Sequence, residues 1–423
     1  MRRDFPMTTD HLTTLSEAAR EAWVFALPLI EVASTRTGTG AFGGGINQIT
    51  HQRDLADHTS RAVTTPNNDT LYSSAQLDLS RGPVTLTLPV SGGRYLSLAL
   101  MDAYTNNFVV LGTRTTGSRG GTFRLVGPDE PGGGPGTVRA PTNHVWALAR
   151  ILVDGAHDLD AARAVQSGIS VQGPVCPPQP LRAGRKGDWQ TYFAAADALM
   201  VENPPPATDG ALLERIASLG LGHGHFDPTK FSADEAAAIA AGVAKAQSTL
   251  HHYAPGRAGV IGGWTYPKSE LGNFGQSYGF RALVALSGLA ALPPVEAMYM
   301  RAVGEHRGLY DGTKAWRLHF PADQLIPVAS FWSLSLYEGT ADGQFFFTDN
   351  PIHRYAIGDR TPGLTYGSDG SLDILIRHEP PTGEAVGNWL PAPAGPFALF
   401  MRAYFAKPAL LDGQYRLPPV EPA

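Results

Sequence analysis

The chain is poor in residues on which several common functions depend. It has one cysteine, Cys176, in the proline-rich run GPVCPPQP. A single cysteine makes no internal disulfide, and no Cys or His stands near it at ligand spacing, so an inert thiol is expected. Basic charge is also short, with 33 Lys and Arg against 38 Asp and Glu and a formal net charge of -5. Without a basic stripe to neutralise phosphates, nucleic acid is not an expected partner. No apolar run approaches the roughly 20 residues of a membrane span, and no membrane partner is expected. The opening MRRDFPMTTDHLTTL carries two arginines but no apolar stretch of secretory-signal length, which predicts a cytoplasmic protein. No G-x-S-x-G, H-E-x-x-H or P-loop occurs. Serine hydrolase, zincin and kinase chemistry therefore lack support.

Turn formers are plentiful: 48 Gly and 34 Pro in 423 residues. Both punctuate strands and sit poorly inside helices, so the chain leans towards β architecture, and its length allows two or three domains with their own cores. Residues 1–60 read as an N-terminal helical arm and connector. Within them TLSEAAREAWVFALPLIEVAS spaces Ala18, Ala22, Phe25 and Ile30 helically, with Pro28 expected to kink or divide the helix. Gly38, Gly40 and Gly43 spell a formal G-x-G-x-x-G, but a helix precedes them where a dinucleotide fold needs a strand, so they read as a connector.

Residues 61–180 change to short alternating runs such as VTLTLPV and RYLSLALMD, the pattern of a β sandwich or barrel. Residues 181–307 are rich in Ala and Leu and read as helical, with Asp209 and Ser232 as caps. Strands return over 308–423. YLSLALMD (95–102) and FWSLSLYE (331–338) lie over one another, pairing Ser97 with Ser333, Leu98 with Leu334, Leu100 with Leu336 and Asp102 with Glu338, while Pro89 matches Pro321. A duplicated β unit is expected.

TPNNDTLYSSAQLDLSRGPVTLTLP, GRYLSLALMDAYTNNFVVLGTRTTG, FWSLSLYE, NPIHRYAIGDRTPGL, DGSLDILIRHEPP and NWLPAPAGPFALFMRAYF together resemble the paired uncharacterised domains DUF1254 and DUF1214. The resemblance spans most of the chain. It implies an α+β protein with two jelly-roll-like antiparallel β-sandwich domains, a helical segment between them, an N-terminal helix, and assembly into homo-oligomers. It implies no chemistry.

Candidate site residues come from the polar clusters. Asn67, Asn68, Asp69 and Tyr72 offer amides, a carboxylate and a phenol within one turn, either a polar turn before a strand or a site that orients a polar ligand. Asp102, Tyr104 and Asn106 alternate onto one face at a strand end. His51 could carry a proton near neutrality, with Asn47 one helical turn away if that segment is helical. Tyr278 and Arg281 share a helical face, and an arginine entering an apolar helix needs an acidic partner, Asp69 or Asp102, or an anionic ligand. Trp332 could stack a ligand or pack in the core. Asn350, Arg354, Asn388 and Trp389 lie in proline-rich turns whose first job is to fix strand ends. His223-x-His225 lacks a third ligand at nearby spacing, the pair His251 and His252 is a weaker signal still, and no metal or cofactor is expected.

The functional expectation is a cofactor-free, hydrolase-like or lyase-like enzyme acting on a small polar metabolite. Asp69 or Asp102 serves as base, Tyr72 or Tyr278 as acid, and Arg281 as anchor, with the 67–69 corner, Asp102 and Arg281 meeting in one pocket. The alternative is a ligand-binding or assembly protein in which the same groups build an interface.

Overall fold

The computed structural model describes residues 9–37, 44–252, 259–305, 308–340 and 343–423. The glycines at 38, 40 and 43 and the side chains of His251 and His252 lie outside the described residues.

The first β region is a sandwich of two sheets. Its inner sheet contains β1 (Ile49–Gln52), β2 (Thr70–Asp78), β4 (Leu96–Asp102), β5 (Asn107–Gly112) and β8 (His144–Leu152), in the spatial order β1-β2-β8-β4-β5. Its outer sheet contains β3 (Val84–Leu88), β6 (Gly121–Val126), β7 (Thr137–Arg139) and β9 (Ser170–Gln172), in the order β7-β6-β3-β9. β3 alternates buried and half-buried residues because one of its faces is wet. β8 is buried at all nine positions because the inner sheet is covered on both faces. Leu71, Leu86, Leu98, Leu125 and Ile151 meet between the two sheets as the core of this sandwich.

The second β region repeats the plan. Its outer sheet runs β19 (Trp389–Pro391), β18 (Leu372–Arg377), β14 (Trp316–Phe320), β21 (Val420–Pro422). Its inner sheet follows β10 (Val260–Ile261), β11 (Trp264–Thr265), β12 (Ala297–Ala302), β20 (Pro396–Tyr404), β15 (Trp332–Gly339), β16 (Phe345–Phe346), with β13 (Tyr310–Asp311) on β20 and β17 (Ala356–Gly358) on β15. Strand pairing is antiparallel except for one parallel pair in each outer sheet, β6 with β7 and β18 with β19.

The expected duplication holds in register. In the first sandwich Ser97 faces Gly112 on one side and Arg150 on the other, and Arg150 faces Tyr72. In the second, Ser333 faces Gly358 and Arg402, and Arg402 faces Tyr299. The two inner sheets pack face to face through Tyr95, Leu152, Phe331 and Tyr404.

The helical layer covers the rest of the first inner sheet. It consists of α1 (Thr9–Thr35), α3 (Trp189–Glu202), α4 (Gly210–Ile216), α5 (Ala233–His252) and α6 (Tyr278–Ser287), while the short helices α2 (Leu159–Ser167) and α7 (Pro408–Leu411) attach to the sandwiches. α1 runs unbroken through Pro28. Packing of Phe25, Leu29 and Ile30 into the helical core outweighs the lost hydrogen bond. The N-terminal arm is thus part of the helical layer. Ser232 caps α5 in a reciprocal capping box with Glu235 (2.8 and 3.3 Å). Asp209 stands at the N-cap position of α4 but makes no capping bond; its carboxylate accepts from Tyr278 instead. No helix among the described residues is long and apolar enough to cross a membrane.

Candidate functional site

Strand β8 decides where the polar clusters lie. β2 and β4 both pair antiparallel with it, so they run in the same direction. Asp69, just before β2, accepts from the amide of Val153 (2.9 Å) at one end of β8, while Asp102, the last residue of β4, sits opposite Val145 at the other. Eight residues at about 3.3 Å each separate the two ends by about 26 Å. The common pocket expected for the 67–69 corner, Asp102 and Arg281 is therefore not formed.

At the helical end, Asp102 closes its own hairpin. Its carboxylate accepts from the amides of Tyr104 and Asn106 (both 2.9 Å) and from the Asn106 side chain (3.0 Å). Burial raises its pKa despite these bonds. The Tyr104 hydroxyl donates to the carbonyl of Asn203 (2.7 Å), and Asn106 Oδ1 accepts from the amide of Phe274 (3.0 Å). Arg281 is buried, lies over the ring of Tyr278 (5.5 Å) and donates to the carbonyl of Gly275. Its charge acts on Asp102 without an ion pair within 4 Å. Tyr278 donates to Asp209 (2.8 Å), and burial followed by this bond pushes its phenol up to about 12. Tyr104, Asn106, Arg281 and Tyr278 thus tie the hairpin to the helices.

At the other end, the 67–69 corner faces the second sandwich. Asn67 Oδ1 accepts from the amide of Asp69 (2.8 Å), and its Nδ2 donates to Thr70 (3.2 Å), Tyr72 (3.3 Å) and Tyr404 (3.0 Å). Asp69 accepts a short bond from Ser333 (2.5 Å) and lies 3.5 Å from Arg360. Asn68 donates to the carbonyl of Ala56 (2.5 Å) and braces the preceding loop. Polar-turn and site readings of this corner are compatible here: a turn built by Asn67 delivers Asp69 and Tyr72 to the seam between domains.

Two arginines lie on the facing sheets, Arg150 and Arg402, each 5% exposed. Arg150 donates to the carbonyl of Ala290 (2.9 Å) and lies 5.4 Å from the ring of Tyr72, and its Nη1 has no partner among the described residues. Arg402 donates to Ser335 (2.7 Å) and to the carbonyl of Thr65 (3.0 Å). Neither has a carboxylate within 4 Å among the described residues. Burial works to neutralise both, but the surrounding phenols, joined at Arg402 by the Asp69 carboxylate, outweigh it and hold both above the ordinary arginine value. Tyr72 shows the reciprocal effect: burial pushes its phenol up, yet the Arg150 charge and the Asn67 amide leave it below the ordinary tyrosine value. Tyr404, without that balance, is raised well above it by burial and by its phenol neighbours.

A cleft of about 430 Å³ opens beside this seam, lined by Arg94, Tyr95, Thr113 and Asp158 of one sandwich and Ser330, Arg360 and Phe405 of the other. Arg94 is committed to Asp158 and to the carbonyl of Leu152 (2.6 Å). Arg360 donates to the carbonyl of Val153 (3.0 Å), makes only long contacts of 3.5 to 3.8 Å with Asp69, Asp359 and Asp154, and stacks over Phe331 (4.3 Å).

The remaining candidates are placed as follows. His51 lies on strand β1, not a helix, and contacts Ser73 (2.8 Å); burial, then Arg53, lowers its pKa. Asn47 is a buried brace between Asp78 and Pro174. Trp332 packs into the second core against Phe320. Asn350 bonds the backbone of its own turn, whereas Arg354 donates to the carbonyl of Trp389, Asn388 to that of Asp373 and Trp389 to that of Arg377 (each 2.8 Å), which ties neighbouring segments together. His223 and His225 are exposed on a loop whose amides wrap the buried Asp197 carboxylate (2.6–3.1 Å). Cys176 lies beside Asn47 (3.3 Å), with its pKa raised by burial.

Sequence reasoning did not single out Arg150, Arg402, Arg360, Tyr299 or Tyr404. A signal existed: GTRTTG (112–117) and GDRTPG (358–363) share the pattern G-x-R-T-x-G, and HVWALARIL and PFALFMRAY carry arginine at the same seventh position.

Comparison with known proteins matches this architecture. Residues 46–173 match the domain described as protein of unknown function DUF1254, and residues 296–408 match DUF1214, likewise of unknown function. The chain belongs to the two-domain DUF1254/DUF1214 family. The crystal structure of the VPA0106 protein from Vibrio parahaemolyticus is similar over 97% of this chain and 100% of that one, with 23% identity and a TM-score of 0.74, which supports the fold. An uncharacterized protein from Burkholderia cenocepacia aligns over 97% of this chain and 93% of its own at 12% identity and a TM-score of 0.42. No curated protein matches.

Proposed function

We propose that the seam between the two sandwiches binds a small anionic metabolite, with Arg150 and Arg402 receiving its charge and Arg360 guiding it in from the cleft. The observation that carries this reading is the pair of buried guanidinium groups without a carboxylate partner. Phenols and carbonyls keep these two guanidinium groups charged without a carboxylate in contact, which leaves room for a counter-charge from outside the chain. The five donors of each arginine favour a planar carboxylate or a phosphate group.

A second reading adds turnover, and the lowered phenol of Tyr72 favours it. A tyrosine whose ionised form is stabilised by Arg150 and Asn67 is suited to exchange a proton with a bound anion, with Asp69 at the same corner as the companion carboxylate. Asp102 and Tyr278, at the far end of β8, take no part in this reading.

The test is thermal unfolding against mono- and dicarboxylates, phosphate and phosphate esters. A ligand at a hundredfold excess over its Kd raises stability by about 2.7 kcal/mol. Arg150→Met is expected to abolish that shift, each variant being read against its own ligand-free transition because the substitution also removes the bond to Ala290 and the contact with Tyr72. Failure of every anion to shift the transition, or a shift that survives Arg150→Met, overturns the reading.

A further inference from the structure

We propose that His58, Asp349 and His353 form a binding site for one divalent transition-metal ion of the zinc type, which clips the first sandwich to the second. One ligand-type atom from each residue lies within 4.8 Å of the other two. Metal–ligand bonds of about 2.1 Å place ligand atoms about 3–4 Å apart, so small side-chain rotations close the set. Two imidazoles and one carboxylate suit zinc and its neighbours rather than calcium or magnesium, and they leave coordination positions open for water or a ligand.

The backbone around these residues is built to present them. Asn350, buried in the loop between β16 and β17, accepts from the amide of Arg354 (2.9 Å) and donates to the carbonyls of Arg354 (3.0 Å) and Thr348 (3.3 Å). This closes the turn that carries Asp349 and His353 on its two sides. His353 has φ +48°, in the left-handed region that a non-glycine residue rarely adopts. Such strain persists where the surroundings over-determine it, and it clusters at ligand sites. His58 comes from the loop before β2. The Tyr355 hydroxyl lies 2.8 Å from its Nδ1 and orients the ring, the role that outer-sphere partners play for metal-bound histidines.

The position gives such an ion leverage. Asn68 ties Ala56 to the 67–69 corner, and Tyr337 holds the carbonyl of Pro66 (2.6 Å). Tyr355, Phe347 and Tyr337 pack in series from the histidines towards Arg402. A metal clip at residue 58 therefore restrains the loop that carries Asn67 and Asp69.

Tag-free full-length chain, dialysed against chelator, is titrated with Zn²⁺ by calorimetry and with Co²⁺ by visible absorption. One equivalent per chain is expected, with Co²⁺ showing the d–d bands of a protein-bound ion. His353→Gly removes a ligand and relieves the left-handed backbone, so its metal-free melting temperature stays level or rises while its Zn²⁺ affinity drops at least tenfold. Asp349→Ala, at a side chain 69% exposed, gives the same loss independently. His223→Ala/His225→Ala leaves binding unchanged. Absence of stoichiometric binding, affinity retained in both His353→Gly and Asp349→Ala, or affinity lost only in the 223/225 variant overturns the site and leaves a surface His–Asp ion pair.

Discussion

Two ion pairs occupy the same place in the two sandwiches and are built differently. Arg114 and Arg360 each sit two residues beyond the glycine that faces the repeated serine, and each crosses the seam to a carboxylate just before a strand of the other sandwich. Arg114 meets Glu296 at 2.5 Å, and Glu296 also accepts from Tyr95 (3.0 Å). Arg360 stays 3.5 Å from Asp69, which turns to Ser333. Aspartate is one methylene shorter than glutamate, and Phe331 stands where the first copy has Tyr95 with its hydroxyl. The shorter carboxylate takes the bond of Ser333 across the seam and leaves Arg360 anchored to the Val153 carbonyl (3.0 Å) with only a long contact to its carboxylate. Duplication thus kept the clamp in one copy and loosened it in the other, on the side where the open volume lies.

The glycines that start both pairs test the equivalence most severely. A Cβ on Gly112 falls 2.1 Å from the carbonyl oxygen of Leu96, and one on Gly358 falls 2.2 Å from that of Trp332. Backbone does not yield cheaply, so Gly112→Ala and Gly358→Ala are each expected to destabilise by more than about 3 kcal/mol. Gly112 also has φ +133°, which adds about 1 kcal/mol to its penalty. Denaturant midpoints of both variants check the order. A mild effect at either glycine breaks the correspondence.

Cutting the carboxylates separates clamp from slack pair. Glu296→Ala removes the short ion pair of a 30% exposed Arg114 and one bond of the Tyr95 hydroxyl, which keeps Ser97 (2.9 Å), and is expected to cost about 2–3 kcal/mol. Asp69→Ala removes one strong bond to Ser333 but leaves Arg360 near Asp154 and Asp359, a loss of about 1–2 kcal/mol. Equal losses in chemical denaturation would show that the two pairs bear the same load.

Much of this frame was legible, and the reason lies in local patterns. Alternation in VTLTL and LDILIR marked strands, the superposition of YLSLALMD on FWSLSLYE carried the register of both sandwiches, and Ser232 announced a helix start. The site was legible in part. Asn67, Asp69 and Tyr72 do meet at a seam, whereas Asp102, Tyr104, Asn106, Tyr278 and Arg281 belong to a different junction. Nothing local says that β8, some 65 residues further along, inserts between β2 and β4. That non-local pairing makes β2 and β4 run in the same direction and sends the start of one and the end of the other to opposite edges. Arg150 and Arg402 were hidden for a related reason. Each stands in an otherwise apolar strand, and only the second sandwich, brought up against that face, gives the charge a meaning.

The subtlest way to sharpen the comparison is to rebuild the first clamp in the second copy. Asp69→Glu restores the missing methylene, but alone it strains a packed corner that is 7% exposed, and a small loss of stability is expected. Phe331→Tyr alone buries a hydroxyl in a ring cluster beside Tyr95 and Tyr404, again a small loss. Together they supply the longer carboxylate and the phenol that pair in the first clamp, so the double variant should recover about 1 kcal/mol relative to the sum of the single changes, a coupling that a double-mutant cycle measures directly. If the long contact between Arg360 and Asp69 is what admits an anion, the double variant must also weaken the anion-induced thermal shift, since a guanidinium locked to the longer carboxylate has less to offer a ligand. Stability coupling without any change in ligand response would separate the architecture of the pair from the binding proposed for the cleft.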